Sequence, residues 1–476
     1  MNENKLGMGT KLGYSIGQVA ISTPYNLVGV FLLFFFTDVA GLEPAFAGMV
    51  FSIAVIWAAI ADPFIGNFSD NLRTRYGRRR PMLLAVAVPL AITTWLLFTA
   101  FDFGSDAAKN VYYIILAIIF YTVFTFTEVP FYSLGAEITN DYNERAKVRA
   151  TSSMFIYVSV LIAVNLPNFI VAKVTAGGGQ PQTGWSIAAA ACGVIAVIAI
   201  LVCWKATKGR ELIVAVKNHE DGKDGEEKEK VNIFKAFIET LKIKPVKWVV
   251  LANLLFLLGM SIVSAMTVYI MNYVAFIDPA YQSVVLSVLP VATIIWLPII
   301  NFLAPKLGKK KAYIVLVGIA AVACIAMFAI GVYSFASLCI FNAVFALGNG
   351  AFWTLCFAMA YDTTEVDEFI NGKRREGILV AYMSFAQKVG TAGSTTLIGI
   401  VLQYVKYNGA AAQQTAEAVN GLVALFTWIP AVFIALSVIS VCLYPITRTK
   451  YEALLNALEL KKAGKEYSTE GFEDLL

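Results

Sequence analysis

Twelve segments of about 20 apolar residues dominate this 476-residue chain. A helix of that length can cross the roughly 30 Å hydrocarbon core of a bilayer. With 58% hydrophobic and 14% charged residues, the chain is far too apolar for a soluble domain of its size. The pattern predicts an all-α membrane protein with twelve transmembrane helices, near residues 14–37, 45–69, 81–101, 111–138, 150–172, 185–204, 248–273, 282–303, 312–332, 335–361, 377–404 and 418–445.

The positions of the basic residues predict how the helices are oriented. Of the 37 Lys and Arg residues, 33 lie in the two tails and in the loops on one side of the predicted membrane. Because cytoplasmic loops retain positive charge, we expect both termini in the cytoplasm and the chain in the plasma (inner) membrane. The net charge of +5 follows from this bias and indicates no nucleic-acid partner. The six cysteines and the single histidine, His219, form no metal-binding pattern, so no cofactor is expected.

An internal repeat divides the chain into two halves. The loop Arg75-Tyr76-Gly77-Arg78-Arg79-Arg80 matches Lys306-Leu307-Gly308-Lys309-Lys310-Lys311 at an offset of 231 residues. The sequence predicts six-helix halves at residues 1–204 and 248–445, a cytoplasmic linker at 205–247 and a cytoplasmic tail at 446–476. Two parallel six-helix halves with the substrate held between them at mid-membrane are the plan of the major facilitator fold.

Three ionisable residues lie deep inside apolar segments: Asp62, Glu128 and Lys388. Each is about 12–18 Å of helix from the nearest charged loop, at roughly 1.5 Å per residue. A charge at that depth costs about 2.5–3.5 kcal/mol, and such residues usually mark an ion or substrate path. Two acids and one base leave one negative charge, which favours binding of a proton or metal ion. The trio therefore predicts a cation-coupled membrane transporter.

Residues 57–81, WAAIADPFIGNFSDNLRTRYGRRRP, predict a conformational latch. Gly66 is expected to allow close helix approach, since small residues let membrane helices pack tightly. Asp70 is followed by a turn containing Gly77, Arg75 and Arg78, where charge-assisted hydrogen bonds would hold the two halves shut and break as they rock. The alternative is that these arginines only set the topology.

Five segments in chain order carry a family resemblance. They are KLGYSIGQ, FFFTDVAGL, ADPFIG with GRRRP, EVPFYSL, and GKRREGI followed by QKVG. In these segments the chain resembles the glycoside-pentoside-hexuronide:cation symporters, the family that contains melibiose permease. The resemblance implies a twelve-helix sugar symporter. No nucleophile and base pair appears in the apolar segments, so no enzyme activity is expected.

The resemblance also implies a cation site. Asp62 and Thr125 match two side chains of that site, whereas Ala58 and Ala61 stand where the family has a second acid and an Asn. One carboxylate and one hydroxyl supply few ligands for Na⁺, but a proton needs only one base. We therefore expect H⁺ as the coupling ion, with Na⁺-coupled and uncoupled transport as alternatives.

The implied sugar site is partly retained. Glu128, Trp353 and Lys388 match family residues, while Tyr132 replaces a Trp and Gln18 replaces an acid. A carboxylate accepts hydrogen bonds from sugar hydroxyls, and an indole face stacks on a pyranose. Galactoside specificity is not expected to transfer.

The sequence thus predicts proton-coupled symport of a glycoside or other small sugar by alternating access. Another cargo, such as a lysolipid, an amphiphile or an exported product, is an alternative. A transporter-like sensor is less favoured, because residues 205–247 and 446–476 contain no recognisable partner-binding domain, and no obligate protein partner is evident.

Overall fold

Long apolar helices make up most of the chain in the computed structural model, which describes residues 6–72, 74, 77–139, 141–209, 240–372 and 375–475. These ranges contain no β-strand. The linker residues 210–239, with His219, lie outside the described residues. In chain order the helices are α1 (Met8–Phe34), a π-helix (Phe35–Val39), α2 (Pro44–Asn71), α3 (Arg80–Leu97), α4 (Asp106–Glu137), α5 (Tyr142–Ala176), α6 (Pro181–Ala206), α7 (Lys244–Tyr273), α8 (Pro279–Leu307), α9 (Lys309–Ile330), α10 (Phe335–Asn371), α11 (Glu376–Tyr404), α12 (Ala416–Phe426), α13 (Trp428–Leu443), α14 (Arg448–Lys462) and a 3₁₀ turn (Glu473–Leu475).

The prediction of an all-α membrane fold is confirmed. Within the described part of the chain, eleven spans are long and apolar enough to cross a membrane, and α12 with α13 counts as one of them. The helix α11 has 29 residues but is less apolar, because Lys388, Gln387 and a run of Ser and Thr residues interrupt it. It corresponds to the eleventh predicted segment, 377–404, and brings the number of long helical spans among the described residues to the predicted twelve.

Two helices differ from the predicted segments. The helix α1 continues into a π-helix, which the apolar pattern did not indicate. The segment predicted as one helix at 418–445 is broken at Thr427, where the backbone leaves the helical region. Pro430 lacks an N–H and cannot donate to the carbonyl of Phe426, which weakens the helix at this point.

The described residues form two compact units. Unit 1 comprises the described residues of Met1–Glu227, with Ile277–Ser287 and Thr395–Thr415. Unit 2 comprises the described residues of Lys228–Phe276, with Val288–Ser394 and Ala416–Leu476. The first turns of α8 and the last turns of α11 therefore belong to unit 1.

The packing order inside each unit repeats. In unit 1, the first helix packs on the sixth, the third on the sixth and the third on the fourth. In unit 2, α7 packs on α12 and α13, α9 packs on α13, and α9 packs on α10. The same three pairings recur in both units.

The basic loops make equivalent contacts with a helix end in both units. The Arg80 guanidinium donates to the carbonyl of Trp204 near the end of α6, at 2.7 and 3.1 Å. The Lys310 ammonium donates to the carbonyl of Tyr444, just after α13, at 2.6 Å. A cation at a helix C-terminus satisfies a free carbonyl and complements the helix dipole. We call the helix ends beside these Lys- and Arg-rich loops the basic ends.

Candidate functional site

A stripe of polar residues on α1 connects this helix to two of its neighbours. Ser15, Gln18, Ser22 and Asn26 recur every three or four residues and so share one helical face. The buried Gln18 amide donates to the Ser22 hydroxyl at 3.0 Å and to the Tyr132 hydroxyl of α4 at 3.2 Å. The Ser15 hydroxyl lies 3.1 Å from that of Ser152 on α5. The stripe thus joins α1 to α4 and α5.

Close helix packing fixes the position of Gln18 against Tyr132. Gly17 faces Phe131, and a Cβ added to Gly17 would lie 2.6 Å from that ring. Tyr14 stacks on Phe131 with centroids 4.5 Å apart, and its hydroxyl donates to the Phe131 carbonyl at 3.1 Å. Gly17 and Phe131 therefore set the register of α1 and α4. Each directly precedes one member of the Gln18–Tyr132 hydrogen bond.

Glu128 lies among tyrosines. Its half-buried carboxylate interacts electrostatically with the hydroxyls of Tyr25, Tyr121 and Tyr132. A carboxylate in this position can accept hydrogen bonds from the hydroxyls of a sugar. Sequence reasoning missed Tyr25 and Tyr121, although Tyr121 precedes Glu128 by seven residues, two helical turns, and so shares its face.

Asp62 and Thr125 occupy the same level of two adjacent helices. The helices α2 and α4 are held together by the hydrogen bond from the Trp57 indole to the Thr122 hydroxyl, 2.8 Å long. About two turns further along both helices, Gly66 faces Val129. Asp62 and Thr125 lie between these two contacts.

Both residues bury an oxygen atom at this level. One carboxylate oxygen of Asp62 is fully buried, and so is the Thr125 hydroxyl, which has no hydrogen-bond partner among the described residues. A buried hydroxyl without a partner is costly, so a ligand or water at this point would stabilise it.

Two prolines free backbone carbonyls close to these carboxylates. Pro63 follows Asp62, and Pro130 lies two residues after Glu128. Neither proline has an N–H, so the carbonyls of Ala59 and Phe126 lose their usual hydrogen bonds within the helix. Free carbonyl oxygens are hard ligands that a cation or a sugar hydroxyl can use.

The remaining two predicted site residues lie in unit 2. Trp353 of α10 is 42% exposed and stacks on Phe357 with ring centroids 5.9 Å apart. The neighbouring Phe352 is buried and stacks on Phe256 of α7 at 4.1 Å. This contact anchors α10 and leaves the indole of Trp353 accessible.

Lys388 is half-buried on α11. Two residues further, a Cβ added to Gly390 would lie 2.8 Å from the carbonyl oxygen of Leu254. Gly390 therefore marks the face of α11 that packs on α7. At about 100° per residue, Lys388 lies roughly 200° from Gly390 around the helix and faces away from α7.

The predicted latch residues take part in a network within unit 1. Gly77 has a φ of +91°, which favours glycine, and its turn is closed by the Thr74 hydroxyl donating to the Gly77 carbonyl at 2.7 Å. The principal partner of Asp70 is Arg79, which the sequence analysis did not single out. Arg79 also donates to Ser69 at 2.5 Å and to Glu137 at 3.2 Å.

The other three latch residues differ in their roles. Arg78 approaches Glu137 at 3.5 Å, a weaker contact than that of Arg79. Arg75 lies outside the described residues. Gly66 makes no close helix contact in this structure, since among the described residues a Cβ there would meet only Val129, at 3.9 Å, and its role in helix approach stays a prediction.

A second contact region lies at the ends of α2 and α11 away from the basic loops, within unit 1. A Cβ on Gly48 would lie 2.3 Å from the carbonyl oxygen of Thr395, and a Cβ on Gly399 would lie 2.4 Å from that of Pro44. Ser52 lies 3.0 Å from the Thr395 hydroxyl. We call this close contact of Gly48 with Thr395 and Gly399 the α2–α11 contact.

The same end of unit 1 carries an acid that sequence reasoning passed over. The hydroxyl of Tyr407, just after α11, donates to the Asp38 carboxylate in the π-helix at 2.6 Å. The backbones are close here too, since a Cβ on Gly409 would lie 2.4 Å from the Thr37 carbonyl oxygen. Asp38 belongs to FFFTDVAGL, one of the segments that carry the family resemblance, so the sequence could have singled out this acid.

Carboxylates and hydroxyls on buried faces of long membrane helices usually mark an ion or substrate path, which is typical of a transporter. A family model described as "MFS/sugar transport protein" matches residues 13–448, which include all the predicted spans. The chain belongs to this family of the major facilitator superfamily, and the resemblance to the glycoside-pentoside-hexuronide:cation symporters is confirmed. The family consists of transporters, so the prediction that the chain is no enzyme is also confirmed.

Similar curated proteins match along nearly the whole chain. The uncharacterized symporter YnaJ of Bacillus subtilis (strain 168) is 29% identical and covers 96% of this chain and of its own length. The glucuronide carrier protein homolog of Escherichia coli (strain K12) is 26% identical, with 97% of both chains covered. The isoprimeverose transporter of Lactiplantibacillus pentosus is 27% identical, with 97% and 94% covered.

Solved structures show the same fold at low identity. A bacterial homologue of the human drug peptide transporters PepT1 and PepT2 superposes with a TM-score of 0.61 at 14% identity, covering 96% of this chain and 99% of its own. The nucleoside transporter NupG gives a TM-score of 0.60 at 13% identity, covering 94% and 99%. These similarities concern the fold alone.

Proposed function

We propose that this chain is a symporter that moves a small sugar or glycoside together with a proton by alternating access. Relatives of similar length named as an isoprimeverose transporter and a glucuronide carrier homolog support a sugar as cargo. The observation that carries the coupling is the buried carboxylate oxygen of Asp62 at the level of the buried Thr125 hydroxyl.

The pair of Asp62 and Thr125 supports a proton more directly than a metal ion. Protonation of one carboxylate removes its charge and gives it a donor for a nearby hydroxyl oxygen. The Thr125 hydroxyl has two lone pairs to accept that bond. In this scheme Asp62 carries the proton and Thr125 orients it.

Sodium coupling is a second candidate, favoured by the two prolines. The carbonyls of Ala59 and Phe126, released by Pro63 and Pro130, would add oxygen ligands to Asp62 and Thr125. Substrate uptake driven by an inward Na⁺ gradient at constant pH separates this scheme from proton coupling.

We propose Gln18, Glu128 and Tyr132 as substrate-binding residues in unit 1. Their mutual polar interactions would be exchanged for hydroxyls of the sugar, at little net cost per bond. In unit 2 we propose that Trp353 stacks on a pyranose face and that Lys388 pairs with a negative charge. A uronide offers both features, so we place carboxylated sugars and glycosides among the first compounds to test.

The cycle requires contacts that break in turn at both helix ends. We propose that the basic ends face the cytoplasm of a cell with the chain in its plasma (inner) membrane. The network of Asp70, Gly77, Arg78 and Arg79, and Arg75 with it, would then act at the cytoplasmic side. The α2–α11 contact would act at the opposite side.

The test is uptake of radiolabelled glycosides, pentosides and uronides in a transport-null cell, with and without a proton uncoupler. The proposal expects accumulation of at least one of these sugars and its loss on addition of the uncoupler. Accumulation that survives the uncoupler and follows a Na⁺ gradient would favour sodium coupling. No uptake or counterflow of any sugar in the panel would contradict a sugar as cargo.

Export of a small polar acid is the other candidate function. A relative 25% identical over 463 residues is named a putative 2,3-dihydroxypropane-1-sulfonate exporter. Lys388 would serve a sulfonate as it serves a carboxylate. Counterflow of sulfonates, sugars and amphiphiles from the same vesicles separates these cargoes.

A further inference from the structure

An apolar groove opens in unit 2 beside the first turns of α7. Its lining combines four aliphatic side chains with two lysines, and its volume is about 410 Å³. That volume falls within the roughly 300–1,000 Å³ of ligand sites. The lining residues are Leu241, Lys242, Lys247, Val250, Leu251 and Leu254.

Positive charge is concentrated at one end of this groove. Residues 240–254 contain the exposed lysines Lys242, Lys244 and Lys247 and no acidic residue. The N-terminus of α7 adds the positive end of a helix dipole, and its N-cap residue Ile243 makes no side-chain hydrogen bond to it. Lysines at a helix N-terminus are unfavourable, because their charge adds to the positive end of the helix dipole. An anion bound there would compensate both the lysines and the dipole.

The lining residues of α7 form a single stripe along the helix. Lys247, Val250, Leu251 and Leu254 follow one another at short helical spacings and so share one face. From Lys247 to Leu254 the stripe extends about 10 Å at 1.5 Å per residue. It changes from charged to apolar in the direction that leads from the helix end into the hydrocarbon.

We propose that this groove binds an anionic phospholipid. Its phosphate pairs with Lys242 and Lys247 at the start of α7, and an acyl chain lies along Val250, Leu251 and Leu254. A lipid satisfies both ends of the groove, because clustered basic residues beside a membrane helix attract anionic headgroups while the chain covers the apolar wall. The alternative is that these lysines only set the membrane topology, but that role does not require an apolar groove beside them.

The test is native mass spectrometry of the full-length protein in detergent, titrated with phosphatidylglycerol or phosphatidylcholine of identical acyl chains. The expected result is tighter binding of phosphatidylglycerol. Replacing both lysines, K242Q/K247Q, is expected to weaken it about 30-fold, from about 1 kcal/mol per basic residue converted at 1.4 kcal/mol per tenfold.

Two further variants separate the groove from general surface charge. The matched control K205Q/K208Q removes two exposed lysines at the end of α6 and is expected to leave the affinity unchanged. Leu251 is 39% exposed, so L251W can fill the groove while keeping every charge. We expect L251W to weaken phosphatidylglycerol binding at least fivefold.

Several outcomes would overturn the proposal. Equal affinity for both lipids would show that the anionic headgroup is not recognised. An equal loss of affinity in K242Q/K247Q and K205Q/K208Q would show that binding depends on general surface charge and not on the groove. Full affinity in L251W would place the acyl chain elsewhere. Absence of lipid binding until residues 210–239 are deleted would show that the linker fills the groove instead.

Discussion

Replacement of Glu128 tests most directly whether Gln18, Glu128 and Tyr132 bind the sugar. Glu128→Gln keeps the shape but removes the charge that interacts with Tyr25, Tyr121 and Tyr132. A hydrogen bond to a charged group contributes about 1.5–3 kcal/mol, so we expect sugar affinity to fall about 10- to 100-fold. Isothermal calorimetry on the purified protein measures this change.

The control is Glu417→Gln, which removes an exposed carboxylate from the first turn of α12. It should bind the sugar as the parent protein does. Unchanged affinity of Glu128→Gln for every transported sugar would show that Glu128 does not bind the sugar.

Glu144 gives the chain an acid-sensitive contact at its basic end. It receives hydrogen bonds from Lys11 at 2.5 Å and from Lys147 at 3.0 Å, which lower its pKa from 4.5 to about 2. A carboxyl with a lowered pKa stabilises the fold above its unfolded pKa, and that stability is lost as the pH falls through the folded pKa. The window is therefore about pH 4.5 down to about 2.

We expect Glu144→Gln to reduce this pH dependence. At pH 7 the variant should have a lower melting temperature in detergent, and the difference from the parent should shrink as the pH falls below 4.5. Thermal unfolding at several pH values measures it. A constant difference at every pH would contradict a contribution from the ionised Glu144.

The sequence selected candidate residues for the site, but not what they contact. Depth in an apolar segment is visible from spacing alone, so Asp62 and Glu128 could be selected. Arg79 could not be distinguished from its neighbours, because one residue of difference in a turn decides which guanidinium reaches Asp70. Among the tyrosines around Glu128, Tyr121 lies two turns earlier on the same helix and could have been found from this spacing, whereas Tyr25 comes from α1 and is brought close only by packing.

At the scale of helices, the α2–α11 contact should tolerate no side chain. Gly48→Ala places a Cβ 2.3 Å from the Thr395 carbonyl oxygen, so the helices must move apart. Overpacking of this kind costs about 1–3 kcal/mol. We expect a lower melting temperature in detergent for Gly48→Ala.

The matched control lies on the same helix. Gly66→Ala adds a methyl group whose nearest neighbour is 3.9 Å away, and alanine favours a helix more than glycine does. Its melting temperature should equal or exceed that of the parent. Equal destabilisation by both substitutions would mean that helix propensity, rather than contact, governs α2.

Helix positions followed from hydropathy, while helix interruptions did not. The helix bounds agree with the apolar segments to within several residues at most ends, because about 20 apolar residues determine a span. The break at Thr427 and the π-helix at Phe35–Val39 depend on local backbone hydrogen bonds. The tail was expected to be charged and without a domain, yet α14 forms there and Phe472 packs edge-on against Phe369 at 5.5 Å.

For the whole molecule, the basic loops predict the side on which each segment lies. We expect an epitope tag after Leu476 to be inaccessible to antibody in intact cells and accessible in inverted vesicles. A tag inserted at Gly178, in the turn between α5 and α6, should behave in the opposite way. Exposure of both tags on the same side would contradict the predicted orientation.

The division into two six-helix halves stays a prediction from the matched basic loops. The packing order and the carbonyl contacts of Arg80 and Lys310 recur in the two units, which supports it. The two compact units are not those halves, since the ends of α8 and α11 group with unit 1. Tertiary packing decides this grouping, and a linear repeat contains no information about it.

The central claim is that Asp62 carries the coupling proton. Its most direct test is substrate-driven alkalinisation outside proteoliposomes that contain the parent protein or Asp62→Asn, with sugar counterflow measured in the same vesicles as evidence of folding. We predict that Asp62→Asn retains counterflow and shows no alkalinisation on addition of sugar. Undiminished alkalinisation by Asp62→Asn would contradict the account.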